Sequence, residues 1–478
     1  GDLTKDEERL SLPIMGRVQS FDNAWDVLAM STYNTVTSLS ESRIDENILY
    51  AGTDDGIIQF TKDGGKNWTK MTVDNLPNTP SSAFVNDIKA DLHDTETAYV
   101  LLDNHKFGDY KPYMFKTTNG GKKWVSITNG IPDGTLLWRI VQDHVNPNLL
   151  FLGTEYGVYI SLDQGENWHK FSNGLPTIPV RDIAVQKREN DLVLATFGRS
   201  FYILDDYSPL RDMTEEMLSN DGVIFKPRKA LQFNQVYGGT SSDGGQTYYA
   251  NNPQYGASIT YFVKDAPASM KSKRVKSEKA KKNGDIPFPG WDALDNETSE
   301  QKNQVILVVK NKDGEIVSKI SGPLRKGVSR VNWNLTSSIP TTVKASSRSS
   351  RGWRGSGGGI RTQVDPGVYD LFLNKRVNGV VTEIAGPVEL QVEKIRRGTL
   401  ENPMAEKHEQ YYADLAEFSS KVSEYQHRFE KANARVSTYQ RMLMQITSNI
   451  PEASKSLYEL TETMSMLEKK VGGSEAKA

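Results

Sequence analysis

The residues of this sequence whose type and spacing could act on a substrate are two carboxylates, Asp143 and Asp182, and three arginines, Arg139, Arg181 and Arg199. A pair of carboxyl groups facing each other across a groove, ~5–10 Å apart, is what glycosidic-bond hydrolysis needs, one as acid and the other as base or nucleophile. Converging guanidinium groups would instead clamp a carboxylate. Asp143 with Asp182, and Arg139 with Arg181, lie one repeat apart, so both pairs read equally as structural residues that a repeat has placed. No catalytic residue is assigned on this basis. The six histidines, at 93, 105, 144, 169, 408 and 427, form no close pair at ligand spacing, and none lies in a His-Glu-x-x-His frame. There is no Gly-x-Ser-x-Gly elbow or phosphate-cradling Gly-x4-Gly-Lys-Ser/Thr loop, and the Gly-rich run 238–245 reads as a loop. With no cysteine in the chain, thiolate metal sites, disulfides and cysteine nucleophiles are excluded. Neither metal nor cofactor is expected.

The elements that would position these residues come from a repeat. The template Ser/Thr-x-Asp-x-Gly-x-x-Trp occurs as Thr61, Asp63, Gly65 and Trp68, again as Thr117, Asn119, Gly121 and Trp124, and again as Ser161, Asp163, Gly165 and Trp168. A strand pair precedes each copy, over 48–52 and 56–60, 98–102 and 113–115, and 149–153 and 157–160. A fourth pair, over 192–196 and 200–204, lacks the box. Trp-to-Trp spacings of 56 and 44 residues fit about four strands per unit, the length of a propeller blade. The box chemistry is folding chemistry: the Asp or Asn accepts hydrogen bonds from its own turn, the Gly supplies positive φ, and the Trp packs the hairpin from the side. Asp63, Asn119 and Asp163 are therefore read as structural.

This pattern resembles the Asp box of sialidases, sortilin-type receptors and two-propeller endoglucanases. In those families the boxes lie on the blade periphery, away from the ligand face. The succession of boxed blades, the closing unit 191–206 and the segment 252–257 resembles the C-terminal half of large bacterial sortilin-like or BNR-repeat proteins of the glycosyl-hydrolase type. The resemblance implies an extracytoplasmic protein with more blades than are found here. Since propellers close with typically four to eight blades, residues 1–228 are expected to be the final part of a propeller, completed by a missing N-terminal region or another chain.

Residues 229–400 carry six or seven short strands separated by turns and read as a β-sandwich. The elements 327–333 and 366–369 resemble the immunoglobulin-like module of flagellar-hook-capping proteins, in which Trp333 and Tyr369 would be core residues. Two basic insertions, 265–303 and 340–362, interrupt it. They read as a solvated hairpin tip and a flexible loop, with contact to a polyanion the alternative. Trp353, flanked by Arg351 and Arg354, is an indole on a Gly/Ser-rich segment and is expected to dock on a partner. From 401 to 478 apolar residues recur at steps of three and four, from Leu415 to Ile446 and from Ala453 to Val471, with a break at Pro451. This predicts a helical hairpin whose two seams cover each other, with a partner helix as the alternative.

The expected fold is thus mainly β: Asp-box blades, a sandwich and a C-terminal helical hairpin. Lys+Arg at 58 against Asp+Glu at 60 gives a net charge of -2 and no overall signature of nucleic-acid binding. No apolar stretch approaches the ~20 residues needed to cross a bilayer. The expected function is non-catalytic binding of a peptide or protein ligand. A glycoside hydrolase with its catalytic part mostly outside this chain is one alternative, and a subunit of a cell-surface or outer-membrane assembly is another.

Overall fold

The computed structural model describes residues 2–8, 11, 13–14, 17–18, 33–233, 252–281, 286–338, 361–396, 405–448 and 450–472. The chain divides into two compact units, Gly1–Asn220 and Asp221–Ala478.

The first unit is a succession of antiparallel blades. Blade 1 comprises the strands Val36–Glu41, Leu49–Thr53, Ile57–Thr61 and Thr69–Thr72, paired in sequence order. Blade 2 comprises Phe84–Ala90, Ala98–Asn104, Asp109–Thr117 and Trp124–Ser126, and blade 3 comprises Leu137–Gln142, Leu150–Thr154, Gly157–Ser161 and His169–Phe171. Blade 4 has three strands, Val180–Gln186, Asp191–Thr196 and Phe201–Leu204. Central strands such as Leu150–Thr154 and Gly157–Ser161 are buried along their whole length. They are apolar without alternation because a neighbouring blade covers each face. Three separate cores fill the gaps between successive blades. Tyr50, Ile58, Val85 and Phe115 lie in the first, Tyr99, Leu101, Leu152 and Trp168 in the second, and Phe151, Val180, Leu194 and Tyr207 in the third.

Among the described residues the outward face of blade 4 is open, whereas that of blade 1 is exposed along its first strand but buried at Ala51, Ile57 and Gln59, the last donating to the Leu3 carbonyl at 2.7 Å. Val36, Leu39 and Ile44 of blade 1 are exposed, and on the last strand of blade 4 Phe201 and Ile203 keep 69% and 61% of their surface in solvent. A short helix, α1 (Glu215–Ser219), with Thr214 accepting from Met217 N–H as its N-cap, closes the unit.

The second unit is built on two sheets packed face to face. One runs Gly222–Ile224, Ala257–Val263 and Gly327–Trp333 in spatial order. The other runs Ala230–Gln232, Val380–Lys394, Gly367–Val377, Gln304–Lys310 and Ile316–Pro323, with Ala230–Gln232 parallel to its neighbour. Ile259, Tyr261 and Trp333 from the first share one core with Leu307, Leu371 and Leu390 from the second. Trp333 and Tyr369 meet edge to face at 5.4 Å.

One sequence expectation needs correction here, and another falls outside the described residues. The basic stretch 271–282, read as a hairpin tip, is mostly helix: α2 (Met270–Ala280) is followed by α3 (Trp291–Ser299), and Arg274 joins Glu278 within α2 to Glu297 of α3. The insertion 340–362, with Trp353, Arg351 and Arg354, lies outside the described residues except for the strand Arg361–Gln363.

The C-terminal helices are α4 (Ala405–Gln445) and α5 (Pro451–Gly472). Gln440 of α4 donates to Thr461 of α5, and Val436 and Met464 are buried. However, Phe418, Tyr425, Tyr439 and Leu460 on the expected seams are exposed. The two seams do not fully cover each other: α4 outruns α5, 41 residues against 22, and Tyr439 and Leu460 stay exposed even where the helices run side by side. Among the described residues no helix is long and apolar enough to cross a membrane.

Candidate functional site

Each blade's first strand carries a bulge at the same place, between Val36 and Ser38, Val85 and Asp87, Leu137 and Arg139, and Val180 and Asp182. A bulge inserts one unpaired residue and re-aims the side chains beside it. Ser38, Asp87, Arg139 and Asp182 therefore occupy corresponding positions, and they form a chain across the four blades. Ser38 Oγ donates to Asp87 Oδ1 at 3.1 Å, and Arg139 Nη1 donates to the same oxygen at 2.8 Å. Ile140 N–H donates to the other oxygen at 3.2 Å, and Lys89 Nζ stands 3.6 Å from Oδ1. Arg139 Nε lies 2.9 Å from Asp182 Oδ1, an ion pair without hydrogen-bond alignment, since this buried Nε has no hydrogen-bond partner. Asp87 is fully buried; burial drives its carboxyl above the usual carboxylate range against the opposing pull of Lys89 and Arg139.

This corrects the sequence alignment of the repeats. Arg139 corresponds to Asp182, not to Arg181, and the two are paired with each other. Arg181 corresponds to Trp138, Asn86 and Thr37, one position earlier. Asp143 corresponds to Asp91 and Ser42, four residues further along the strand, and its blade 4 counterpart is Gln186. Ser42 accepts from Ile44 and Asp45 N–H, Asp91 from His93 and Asp94 N–H, and Asp143 from Val145 and Asn146 N–H. Each ties down the turn that follows the first strand. Asp143 is also fully buried and is gripped by Arg211 Nε and Nη2, both at 2.8 Å, and by Tyr207 Oη at 2.6 Å. Burial alone would raise its carboxyl, but Arg211, Tyr207 and Asn146 N–H together hold it below the usual range. Asp143 and Asp182 do not face one another as an acid and base pair. Arg199 is an exposed residue of the blade 4 turn and does not converge with the other two arginines.

The Asp boxes close the turns between third and fourth strands, at the same end of the blades as Asp143. Thr61 Oγ1 donates to Asp63 Oδ1 and accepts from Gly65 N–H at 3.1 Å, while Asp63 Oδ1 accepts from Asn67 N–H at 2.9 Å. Thr117 with Asn119, and Ser161 with Asp163, repeat this arrangement. The Asn67 backbone and side-chain donors, with Thr61, hold the Asp63 carboxyl down at about 2. Trp68 and Trp124 donate to Gly65 and Gly121 carbonyls of their own boxes, whereas Trp168 Nε1 donates to the Ile127 carbonyl of the preceding blade at 2.8 Å. Among the described residues no group of three or more His, Asp or Glu could hold a metal.

The opposite end of the blades carries a constellation that the sequence reading missed. Phe84 opens the first strand of blade 2, Trp138 and Arg181 sit on the first strands of blades 3 and 4, and His105, Glu155 and Phe197 follow the second strands of blades 2, 3 and 4. Lys106 Nζ stands 4.7 Å over the Phe84 ring. Phe84 meets His105 edge to face at 6.4 Å, and His105 meets Trp138 in the same way at 6.4 Å. The Arg181 guanidinium lies 3.5 Å from the Trp138 ring centroid and 5.5 Å from that of Phe197, which is 69% exposed. Trp138 Nε1 donates to Glu155 at 3.0 Å, and the buried Asp103 carboxylate fixes the His105 ring at 2.6 Å from Nδ1. On blade 1, at the position of Asp103, Glu155 and Phe197, Asp54 completes the row; burial raises its carboxyl, with Lys106 pulling the other way. The result is a ladder, a row of the rings Phe84, His105, Trp138 and Phe197 with the cations Lys106 and Arg181 laid against it, rimmed by carboxylates and running over three blades. The recurrent apolar-x-polar triplet at the start of each unit (36–38, 85–87, 137–139, 180–182) is the sequence signal that could have located it.

Residues 159–170 match the family model described as BNR/Asp-box repeat, so blade 3 carries that repeat. No curated protein matches the chain. Among solved structures, the GH74 enzyme of Niastella koreensis is similar at 16% identity over 37% of this chain and 29% of its own, with a TM-score of 0.30. YCF48 bound to D1 peptide is similar at 18% identity over 36% of this chain and 52% of its own, with a TM-score of 0.27. The GH74 xyloglucanase of Xanthomonas campestris is similar at 12% identity over 34% of this chain and 26% of its own, with a TM-score of 0.26. The chain thus spans between about a quarter and about half of the length of these structures.

Proposed function

We propose that the blades present a non-catalytic binding face for an extended peptide or protein segment, with the ladder from Lys106 to Phe197 as the contact surface. The observation that carries this reading is the state of Trp138: the Arg181 guanidinium already lies against its ring, and His105 meets it edge to face. A sugar would need a bare aromatic face to stack on. A peptide instead meets exposed Phe197, the Arg181 donors and the carboxylates of Glu155 and Asp54 as a mixed apolar and polar groove. Asp143 and Asp182, the carboxylates first considered for hydrolysis, are engaged with Arg211 and Arg139, which further favours binding over glycoside hydrolysis. An extracytoplasmic location is part of the proposal, on the strength of the family resemblance, and fractionation of the native cells tests it; recovery with cytoplasmic proteins would contradict it.

We also propose that the open outward face of blade 4, at Phe201 and Ile203, is covered by further blade-like sheet of the same or another chain. To test the ligand class, the full chain is screened against displayed peptides and an oligosaccharide panel. Peptide binding that disappears in Trp138→Ala is expected. Reducing-sugar release from a polysaccharide, abolished by Asp182→Asn, would sink the binding reading.

A further inference from the structure

The Asp-box end of the inner strands holds a second, separate feature, a pocket of about 210 Å³. It is lined by the ends of the first strands and the turns after them, with Arg43 from blade 1, Lys89 from blade 2, His144 from blade 3 and Lys187 from blade 4. Counted from the bulges, Arg43, His144 and Lys187 are corresponding residues, each one past the turn-tying position of its blade. The repeat thus brings three donor side chains to one mouth, and Lys89 reaches it from the strand. Ile140, Val141, Leu150 and Val185 form the apolar remainder of the wall.

No carboxylate lines this pocket, and the three buried ones behind its wall, Asp143, Asp91 and Asp87, are already engaged. Asp143 is held by Arg211 and Tyr207. Asp91 accepts from Tyr99 at 2.9 Å, from Gln142 at 2.7 Å and from Gln164 at 3.4 Å. Asp87 is shared by Arg139, Ser38 and Lys89, the last at 3.6 Å. Arg139 and Lys89 balance Asp87 and Asp182, and Asp91 is satisfied by neutral donors alone, so Arg43 and Lys187 together leave about one positive charge in excess at the pocket. Burial disfavours a proton on His144 against the pull of Asp143, and Arg211 and Lys187 add to it in the same direction. A small pocket with apolar walls focuses such charge and strengthens its pull on an anion. At about 210 Å³ it is smaller than the ~300–1,000 Å³ of drug-sized sites, which suits a compact group. Several cations converging from different blades favour a group with more than one charge, whose oxygens can each take a donor.

We propose that this pocket binds a compact oxyanion carrying two or more charges, a phosphate or sulfate group, held by Arg43 and Lys187, with Lys89, which also faces Asp87, at its wall. The site is independent of the peptide ladder, which lies at the other end of the same strands. Thermal unfolding and calorimetry of the full chain test it with inorganic phosphate, sulfate, O-phosphoserine and acetate, all at one ionic strength. Phosphate or sulfate is expected to raise the melting temperature saturably, and acetate to have no such effect. Stronger binding of O-phosphoserine than of phosphate would support the site and assign it to a phosphomonoester; the reverse order would support it as a free-ion site. Arg43→Met and Lys187→Met are each expected to weaken phosphate binding by about tenfold or more. Lys62→Met, on an exposed Asp-box turn, is expected to bind as wild type. Phosphate acting no differently from acetate, or undiminished phosphate binding by both Arg43→Met and Lys187→Met, would overturn the proposal.

Discussion

Asp143 shows how far a single residue's chemistry depends on what surrounds it. In the sequence it is a carboxylate one repeat from another carboxylate, which is all that a hydrolytic reading requires. In the fold it is sealed beneath Arg211 and Tyr207 and ties down a turn. Removing Arg211 would leave a buried charge unpaired, so Arg211→Met is expected to cost ~3–5 kcal/mol in chemical denaturation. The folded carboxyl is held below its unfolded value. Its contribution is therefore fully present above the ordinary carboxylate pKa of about 3.9 and is lost as pH falls through the lower folded value. Asp143→Asn should be less stable at neutral pH and should show a flatter loss of stability on acidification; an acid limb identical to wild type would contradict this account of the residue. The pairing of Arg139 with Asp182 could not be read from spacing, because the repeats differ in length: the corresponding residues Ser38, Asp87, Arg139 and Asp182 recur at intervals of 49, 52 and 43 residues.

At the scale of elements, the Asp-box turns were legible because their constraint is local: a hydroxyl, an acid or amide, a glycine and an indole close one hairpin within eight residues. What the sequence did not disclose is that the boxes also join neighbouring blades. A Cβ on Gly121, at φ +83°, would come within 2.9 Å of the Phe60 ring of blade 1, and one on Gly165, at φ +94°, within 2.9 Å of Ile127 from blade 2. A Cβ on Gly65, at φ +87°, would meet only its own Trp68 at 3.6 Å. All three positions carry the left-handed penalty of ~1–2 kcal/mol. Gly121→Ala and Gly165→Ala should add ~1–3 kcal/mol of overpacking, so both should unfold at lower denaturant than Gly65→Ala, and equal losses at all three would contradict a blade-joining role. The helical hairpin was legible from its three-and-four rhythm. The incomplete coverage of its seams was not, since periodicity marks an apolar face without saying how much partner surface is available to cover it.

For the molecule as a whole, the repeated strand pairs and boxes marked the blades, while the ladder stayed hidden because it assembles from first-strand residues and loops of different blades that meet only when the blades stack. Stacking also leaves Phe201 and Ile203 on an uncovered face, and contiguous exposed apolar surface promotes association. If sheet from other copies covers that face, sedimentation of the wild type should show concentration-dependent association that Phe201→Lys/Ile203→Lys removes; a wild-type monomer at all concentrations would restrict the covering sheet to other chains or to the same polypeptide. In the proposed function two ends of one array divide the labour, boxes as scaffold and ladder as binding face. The most direct test is to measure peptide affinity and melting temperature together for Trp138→Ala, Arg181→Ala and Asp163→Ala. The division predicts that the ladder variants lose affinity and keep the wild-type melting temperature, whereas Asp163→Ala melts earlier and binds normally while folded. Lost affinity in Asp163→Ala with an unchanged melting temperature, alongside normal binding by both ladder variants, would contradict it.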